Sequence, residues 1–238
     1  MRRIFLLNDS DLNTKDRYIE LPEFWSKRLN SLRVSKSVFP VTVNCQANWY
    51  QGHLEVCKRR GKFIGTFKEL SPFEPEEKTT LLLAVLKDFY SELAVRVATE
   101  LMIDKIIFFR SRRTVGFLNK KKLEKLHKLA IEHSSINGRL VPLQIEYVEN
   151  ISQLSFERFK TRLLFLVSED TCNLASERIM SPTIGVIGPE GDLTLEEIEF
   201  FREKGFNSFS FGNFVFTSWA SVALFASLVW FGSPTKAV

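Results

Sequence analysis

The chain has 238 residues, 45% of them hydrophobic and 26% charged, with a formal net charge of +5. This balance excludes a disordered chain and predicts a buried core, in one large domain or in a small one plus a medium one. The basic excess leans toward a polyanionic partner. Cys45, Cys57 and Cys172 stand far apart with no CxxC pair, which argues against a disulfide framework and a zinc site. The apolar run Ile4-Phe5-Leu6-Leu7 is too short for a signal peptide. The longest apolar stretch, residues 219–231, falls short of the roughly 20 residues of a membrane span. A soluble cytoplasmic protein, without membrane or metal partner, is therefore expected.

Up to about Leu70 the chain reads as short strands, at residues 38–43, 49–57 and 62–67. Turn signals at Asn44, Gln51-Gly52 and Arg60-Gly61 separate them, and such spacing predicts a small β-barrel. Residues 71–77, with two prolines and three acids, read as a linker. From Thr79 onward strands and helices alternate. Strands are expected at 81–86, 106–109, 163–167, 184–187 and 206–211, and helices at 92–101, 121–131, 195–204 and 219–231. That alternation predicts an α/β domain with a parallel sheet covered by helices.

The stretch from Thr183 to Phe231 carries the strongest signals. Its first strand breaks into Gly188-Pro189-Glu190-Gly191-Asp192, where glycines let a ligand approach bare backbone and Pro189 stiffens the turn. A glycine turn required only by sterics is the alternative. Thr194-Leu195-Glu196-Glu197 spells a capping box for the next helix. The loop is neither GxGxxG nor GxxxxGK[ST], so neither a Rossmann dinucleotide site nor a P-loop is expected. The last helix is apolar on nearly every side. It should therefore be enclosed, by threading the fold, by lying in a subunit interface, or simply in a groove of the monomer.

His53, His127 and His133 have no metal spacing, and His127 and His133 are placed on the solvated side of a Lys-rich helix. Basic clusters at Arg2-Arg3, Lys27-Arg28, Arg33, Lys58-Arg59-Arg60, residues 110–113 and Lys120-Lys121-Lys122 suit a phosphate backbone, though each alone also reads as solvated charge.

Together these pieces resemble the RsmE type of 16S rRNA (uracil-N3)-methyltransferase, in the SPOUT superfamily of knotted methyltransferases. Met1-Arg2-Arg3-Ile4-Phe5 is similar to the family's start, and Ser31-Leu32-Arg33-Val34 to its Val-Leu-Arg segment. Residues 99–106 are similar to its Glu-Leu-Gly-Val helix end, and Ser111-Arg112-Arg113-Thr114-Val115 to its Ser-Glu-Arg-Ser-Val loop. Ile187-Gly188-Pro189-Glu190-Gly191 matches its most specific motif, which runs into Glu196-Glu197-Ile198.

The resemblance implies a PUA-like β-barrel for RNA over residues 1–72 and a SPOUT α/β domain with a C-terminal trefoil knot over residues 73–238. It implies a homodimer that acts on ribosomal RNA of the small ribosomal subunit. It implies S-adenosylmethionine bound by backbone loops, here Leu166, Val167 and Ser168, then Ile187, Gly188, Pro189, Glu190 and Gly191, then Phe211, Gly212, Asn213, Val215, Phe216 and Ala220. Arg2, Arg3, Arg33, Arg113 and Arg139 are the matching candidates for RNA, and Glu190, Glu169 and Arg139 the polar candidates for catalysis.

Phe214, Thr217 and Trp219 stand where the family carries two arginines and a glutamate, and Asp192 stands where it carries a glycine. Methyl transfer to uracil N3 requires that nitrogen to lose its proton, which phenylalanine and tryptophan cannot assist. Two further readings follow: an RNA-binding relative that keeps fold and dimer without the chemistry, and a metabolic enzyme with an unrelated ligand in the Gly188 loop.

Overall fold

The structure is a computed structural model and describes residues 2–7, 18–167, 179–210 and 215–232. The chain divides into two compact units: residues 1–76 with 134–142, and residues 77–133 with 143–238.

The first unit holds a five-stranded sheet of order β1-β3-β4-β5-β2. Its strands are β1 (Ile4–Leu6), β2 (Tyr18–Glu20), β3 (Lys36–Cys45), β4 (Asn48–Arg59) and β5 (Lys62–Phe73). β3, β4 and β5 form an antiparallel meander, with β2 antiparallel to β5 and β1 parallel to β3. Gln46 and Ala47 turn the first hairpin at φ of 49° and 63°, Arg60 and Gly61 the second at 46° and 83°. Paired positive φ values give the backbone twist a two-residue hairpin needs.

Three sequence expectations fail here. Gln51-Gly52 is no turn: both lie in β4, where the register against β5 shifts between Gln51 and His53. A Cβ at Gly52 would stand 2.7 Å from the Glu69 carbonyl oxygen, so this glycine permits a bulge. Residues 71–73 are not linker but the end of β5, with Pro72 opposite Tyr50. β2 pairs with β5 only from Ile64 to Thr66. Among the described residues β5 has no second partner beyond Thr66, where a proline forfeits no ladder bond. Asn44, too, lies within β3 rather than in a turn.

α1 (Glu23–Ser31) packs on this sheet through Trp25 and Leu29, and Trp25 Nε1 donates to the Phe5 carbonyl at 2.7 Å. Residues 134–142 join the unit as Arg3 N–H donates to the Ser135 carbonyl at 3.1 Å and Thr42 Oγ1 to the Leu140 carbonyl at 2.7 Å.

The second unit is an α/β fold. Six strands, β6 (Thr79–Ala84), β7 (Lys105–Phe109), β8 (Gln144–Val148), β9 (Thr161–Phe165), β10 (Thr183–Ile187) and β11 (Asn207–Phe209), pair in the order β11-β9-β10-β6-β7-β8. Every pairing is parallel. The chain steps outward from β6 to β8, crosses to the far side for β9, then inserts β10 between β9 and β6.

Side-chain alternation feeds two cores. Leu81, Leu83, Phe108 and Phe165 share one with α2 (Asp88–Glu100), α3 (Lys120–Asn137) and α5 (Ser218–Gly232). Leu82, Phe109, Leu164 and Val186 share the other with Phe201 of α4 (Leu195–Glu203) and with Phe156 and Phe206. α3 packs near α2, so His127 and His133 are half-buried rather than solvated. Burial pushes the His127 imidazole below its usual range, and His133 Nδ1 lies 3.3 Å from Glu100 Oε1.

Among the described residues α5 is enclosed along one stripe only. Ser218, Val222, Phe225 and Ala226 form its buried stripe, because a helix laid over a sheet meets it along one side only. Ala220, Ala223, Leu224 and Ser227 are half-buried, and Phe231 is 90% exposed. The stripe sits on Gly185: a Cβ there would stand 2.6 Å from the Phe225 ring, which also meets the Phe165 ring edge-on at 5.9 Å. Gly185→Val should therefore cost about 1–3 kcal/mol, the usual penalty of overpacking a core. Urea denaturation of the wild type and variant measures this, and equal midpoints would show that α5 does not depend on the contact.

Candidate functional site

All six strands of the second unit point the same way, so their carboxyl ends lie along one edge. In such sheets the crevice for a ligand opens at that edge, where strand order reverses. Here the reversal falls beside β9 and β10, and a cavity of about 490 Å³ lies there. Its size falls in the range of about 300–1,000 Å³ usual for small-molecule sites.

Three segments form the wall: Phe165 to Val167 after β9, Ile187 to Asp192 after β10, and Val215 to Ser218 with Ser221 at the start of α5. Of the residues expected to hold a cofactor, Leu166, Val167, Ile187, Gly188, Pro189, Glu190, Gly191, Val215 and Phe216 line it. Ala220 does not. Ser168, Phe211, Gly212 and Asn213 lie outside the described residues, as does Glu169. Asp192, the acid that stands where the family carries a glycine, lines the cavity too, whereas the sequence reading did not place Phe165, Thr217, Ser218 and Ser221 there. A signal existed for the serines: Ser218 and Ser221, one turn apart, are polar interruptions at the head of an otherwise apolar helix.

The Gly188 loop is held from three directions. Glu190 Oε1 accepts the Lys87 backbone N–H at 3.1 Å. Lys87 is the N-cap of α2 and offers no side-chain cap of its own, so Glu190 supplies an acceptor from another loop. Arg113 Nη1 donates to the Gly191 carbonyl at 3.2 Å. Asp192 closes the turn: its N–H donates to the Pro189 carbonyl at 3.0 Å, and its Oδ1 accepts the Leu193 N–H at 2.8 Å. Its φ of 63° is a left-handed conformation that glycine adopts freely and aspartate tolerates through such local bonds.

The expected capping box is present at α4, with Thr194 and Glu197 bonded reciprocally. Glu197 does more than cap. Its buried carboxylate accepts from Thr194 N–H at 2.8 Å, Ser111 Oγ at 3.0 Å and Arg112 N–H at 2.9 Å. The loop after β7 is thereby fastened to the start of α4, which brings Arg113 to the rim of the Gly188 loop.

The other predicted residues lie apart from this cavity. Arg2, Arg3, Arg33 and Arg139 belong to the first unit. Arg139 is buried there, its Nε donating to the Val141 carbonyl at 3.2 Å. Arg3 Nη1 donates to the Val41 carbonyl and Thr42 Oγ1, both at 3.2 Å, and burial pushes its guanidinium below the usual range. Arg33 is exposed.

Residues 74–229 match the family model of an RNA methyltransferase domain. The chain belongs to this family. It is 29% identical over 153 residues to ribosomal RNA small subunit methyltransferase E of Mesomycoplasma hyopneumoniae, covering 61% of this chain and 66% of that protein. It is 25% identical over 187 residues to ribosomal RNA small subunit methyltransferase E 2 of Borreliella burgdorferi, covering 74% and 75%. In fold it is similar to a ribosomal RNA small subunit methyltransferase E from Neisseria gonorrhoeae crystallised with S-adenosyl methionine, with a TM-score of 0.78, 17% identity and 95% of each chain covered. The family match takes in all three segments of the cavity wall.

The bond from Lys87 to Glu190 generates a test. Glu190→Gln keeps an acceptor for the Lys87 N–H, while Glu190→Ala removes it. The alanine variant should lose about 1 kcal/mol, as when a helix cap is deleted, and the glutamine variant clearly less. Thermal unfolding reads both, and identical losses would show that Glu190 does not cap α2.

Proposed function

We propose that the chain is an S-adenosylmethionine-dependent methyltransferase that modifies N3 of a uridine in small-subunit ribosomal RNA. The observation that carries this is the cavity at the ends of β9 and β10, walled by the Gly188 loop within the matched RNA methyltransferase domain.

The residues present suit the cofactor. Leu166, Ile187 and Phe216 offer apolar surface for an adenine ring, and the Gly188 and Val215 segments offer backbone groups for its polar edge. Asp192 and Glu190 put two carboxylates in a lining that has no lysine or arginine among the described residues, a polarity that favours a sulfonium cation. When bound, S-adenosylmethionine would supply the electrophilic methyl group. The chain's own part is to orient that group and to aid loss of the N3 proton. Glu190 Oε1 and Asp192 Oδ1 are engaged by backbone N–H groups, and the neutral polar groups beside them are the hydroxyls of Thr217, Ser218 and Ser221, of which Ser221 Oγ donates to the Thr217 carbonyl at 3.2 Å. We assign Glu190 a positioning role rather than that of base.

The first unit, with its five-stranded sheet, is proposed as a PUA-like barrel for RNA. The insertion of β10 between β9 and β6, followed by α5 laid on Gly185, supports a trefoil knot at the C-terminal end. The half-buried face of α5 supports a homodimer, since Ala220, Ala223, Leu224 and the exposed Phe231 have little covering them in one chain. No helix among the described residues is long and apolar enough to cross a membrane, in keeping with the cytoplasm where ribosomal RNA is found.

A second reading keeps fold and dimer without catalysis. Thr217 lines the cavity where the resemblance expects a charged residue, and the described lining holds no cation to steady a deprotonating uracil.

Calorimetric titration with S-adenosylmethionine, followed by methyl transfer to undermethylated small subunits, decides between them. The expected result is binding with incorporation at N3. Absence of cofactor binding overturns the enzyme reading, and binding without incorporation favours the inert relative. For the dimer, Leu224→Glu should shift the chain from dimer to monomer in sedimentation equilibrium; an unchanged mass would reject the α5 interface.

A further inference from the structure

Charge is divided unevenly between the two units. Of the 33 basic and 28 acidic residues, the first unit holds 14 and 9, which leaves 19 of each in the second. The second unit is formally neutral, and the whole excess of +5 belongs to the first.

One end of the first sheet concentrates it. The tip of the β4–β5 hairpin carries Lys58, Arg59, Arg60 and Lys62. The turn from α1 into β3 carries Arg33 and Lys36. Strand register brings the two turns together: Lys36 lies opposite Cys57, and the Lys58 N–H donates to the Ser35 carbonyl at 2.9 Å. Arg33 and Arg60 both sit at positive φ, 54° and 46°, which are turn positions where asparagine or glycine would be less strained.

Two acids beside them, among the described residues, are already paired. Glu55 meets Lys36 at 3.1 Å and Lys68 at 2.6 Å, and Glu20 meets Lys62 at 2.6 Å. Arg33, Lys58, Arg59 and Arg60 are all exposed, with no carboxylate partner among the described residues. Four like charges gathered at two adjoining turns repel one another, and an anion with regularly spaced charges relieves that repulsion.

We infer that Arg33, Lys58, Arg59 and Arg60 grip the phosphate backbone of the RNA substrate, an assignment that rests on the reading of that substrate as ribosomal RNA. These contacts supply affinity and register, while base identity is read elsewhere. Arg3 is a poorer candidate, because its reachable Nη1 is spent on Val41 and Thr42.

The test is fluorescence anisotropy of a labelled small-subunit rRNA fragment titrated with the full chain across a salt series. The variant combines Arg33→Asn, Lys58→Ala, Arg59→Ala and Arg60→Asn, with asparagine at the two positive-φ positions to preserve both turns. Each lost contact should lower the log–log salt slope by about 0.7–0.9, so the fourfold variant should lose about three units and the single Arg59→Ala about one. Its S-adenosylmethionine titration should be unchanged, since the cavity is lined by second-unit residues alone. Removing the ion-paired Lys62 and Lys68 should move the slope by less than about one unit. A wild-type slope in the fourfold variant overturns the assignment and leaves the methyltransferase reading intact. A wild type that binds S-adenosylmethionine but not RNA overturns both the assignment and the rRNA substrate. Loss of binding to phosphatidylserine vesicles, with RNA binding retained, would instead mark the end as a lipid surface.

Discussion

The candidate site depends on one close approach, that of α5 to β10 at Gly185. β10 is buried along its whole length and paired on both sides, so it cannot shift. Its third residue has no side chain, and Phe225 fills the space. α5 carries one wall of the cavity at its head, and β10 runs directly into another. The seat of the Phe225 ring therefore sets the separation of the walls. The same ring meets Phe165, the residue from which the third wall begins. A single aromatic side chain thus ties all three cavity segments to the sheet core, where packing is dense and movement costly.

Above that core the loops are held by polar bonds, and these constrain the chemistry. Glu190 and Glu197 are both carboxylates near the carboxyl ends of strands, a place where acids commonly act on substrates. Each is instead tied to backbone N–H groups of neighbouring loops. For Glu197 the bonds come from three residues and the carboxylate is buried, so its role in the fold is complete without a ligand. Electrostatic catalysis works through groups fixed in place beforehand. Carboxylates used as fasteners supply that rigidity to the backbone around the cavity, and leave the hydroxyls at the head of α5 as the adaptable polar groups.

Much of the second unit was legible in the chain, for a physical reason. Strands covered on both faces must be apolar throughout, so Leu81-Leu82-Leu83 and Ile106-Ile107-Phe108-Phe109 announce themselves without any alternation to interpret. Thr194 and Glu197 likewise act through neighbours three residues away, and a local rule finds local bonds. What escaped depends on partners distant in sequence. α1 buries only Trp25 and Leu29, one turn apart, too few to show a period. Gly52 reads as a turn until Glu69 is placed opposite it. Pro72 argues against a strand until Tyr50 is seen to lie opposite it.

The last helix carries a demand for cover that one chain meets only in part. An apolar surface on every side does demand cover, yet among the described residues only Ser218, Val222, Phe225 and Ala226 of this helix are buried. The remaining face is small and apolar through Ala220, Ala223 and Leu224, with a large exposed ring at Phe231. A helix that merely rested in a groove would carry polar residues along such a face. Apolar residues left half-exposed raise the solvation cost of the chain and strengthen its fold only in part. The proposed homodimer would account for them, because a twofold contact lets one helix face cover both chains. The cavity wall begins on this same helix at Ser218. Cover for α5 and order at the cavity would then be established by one association.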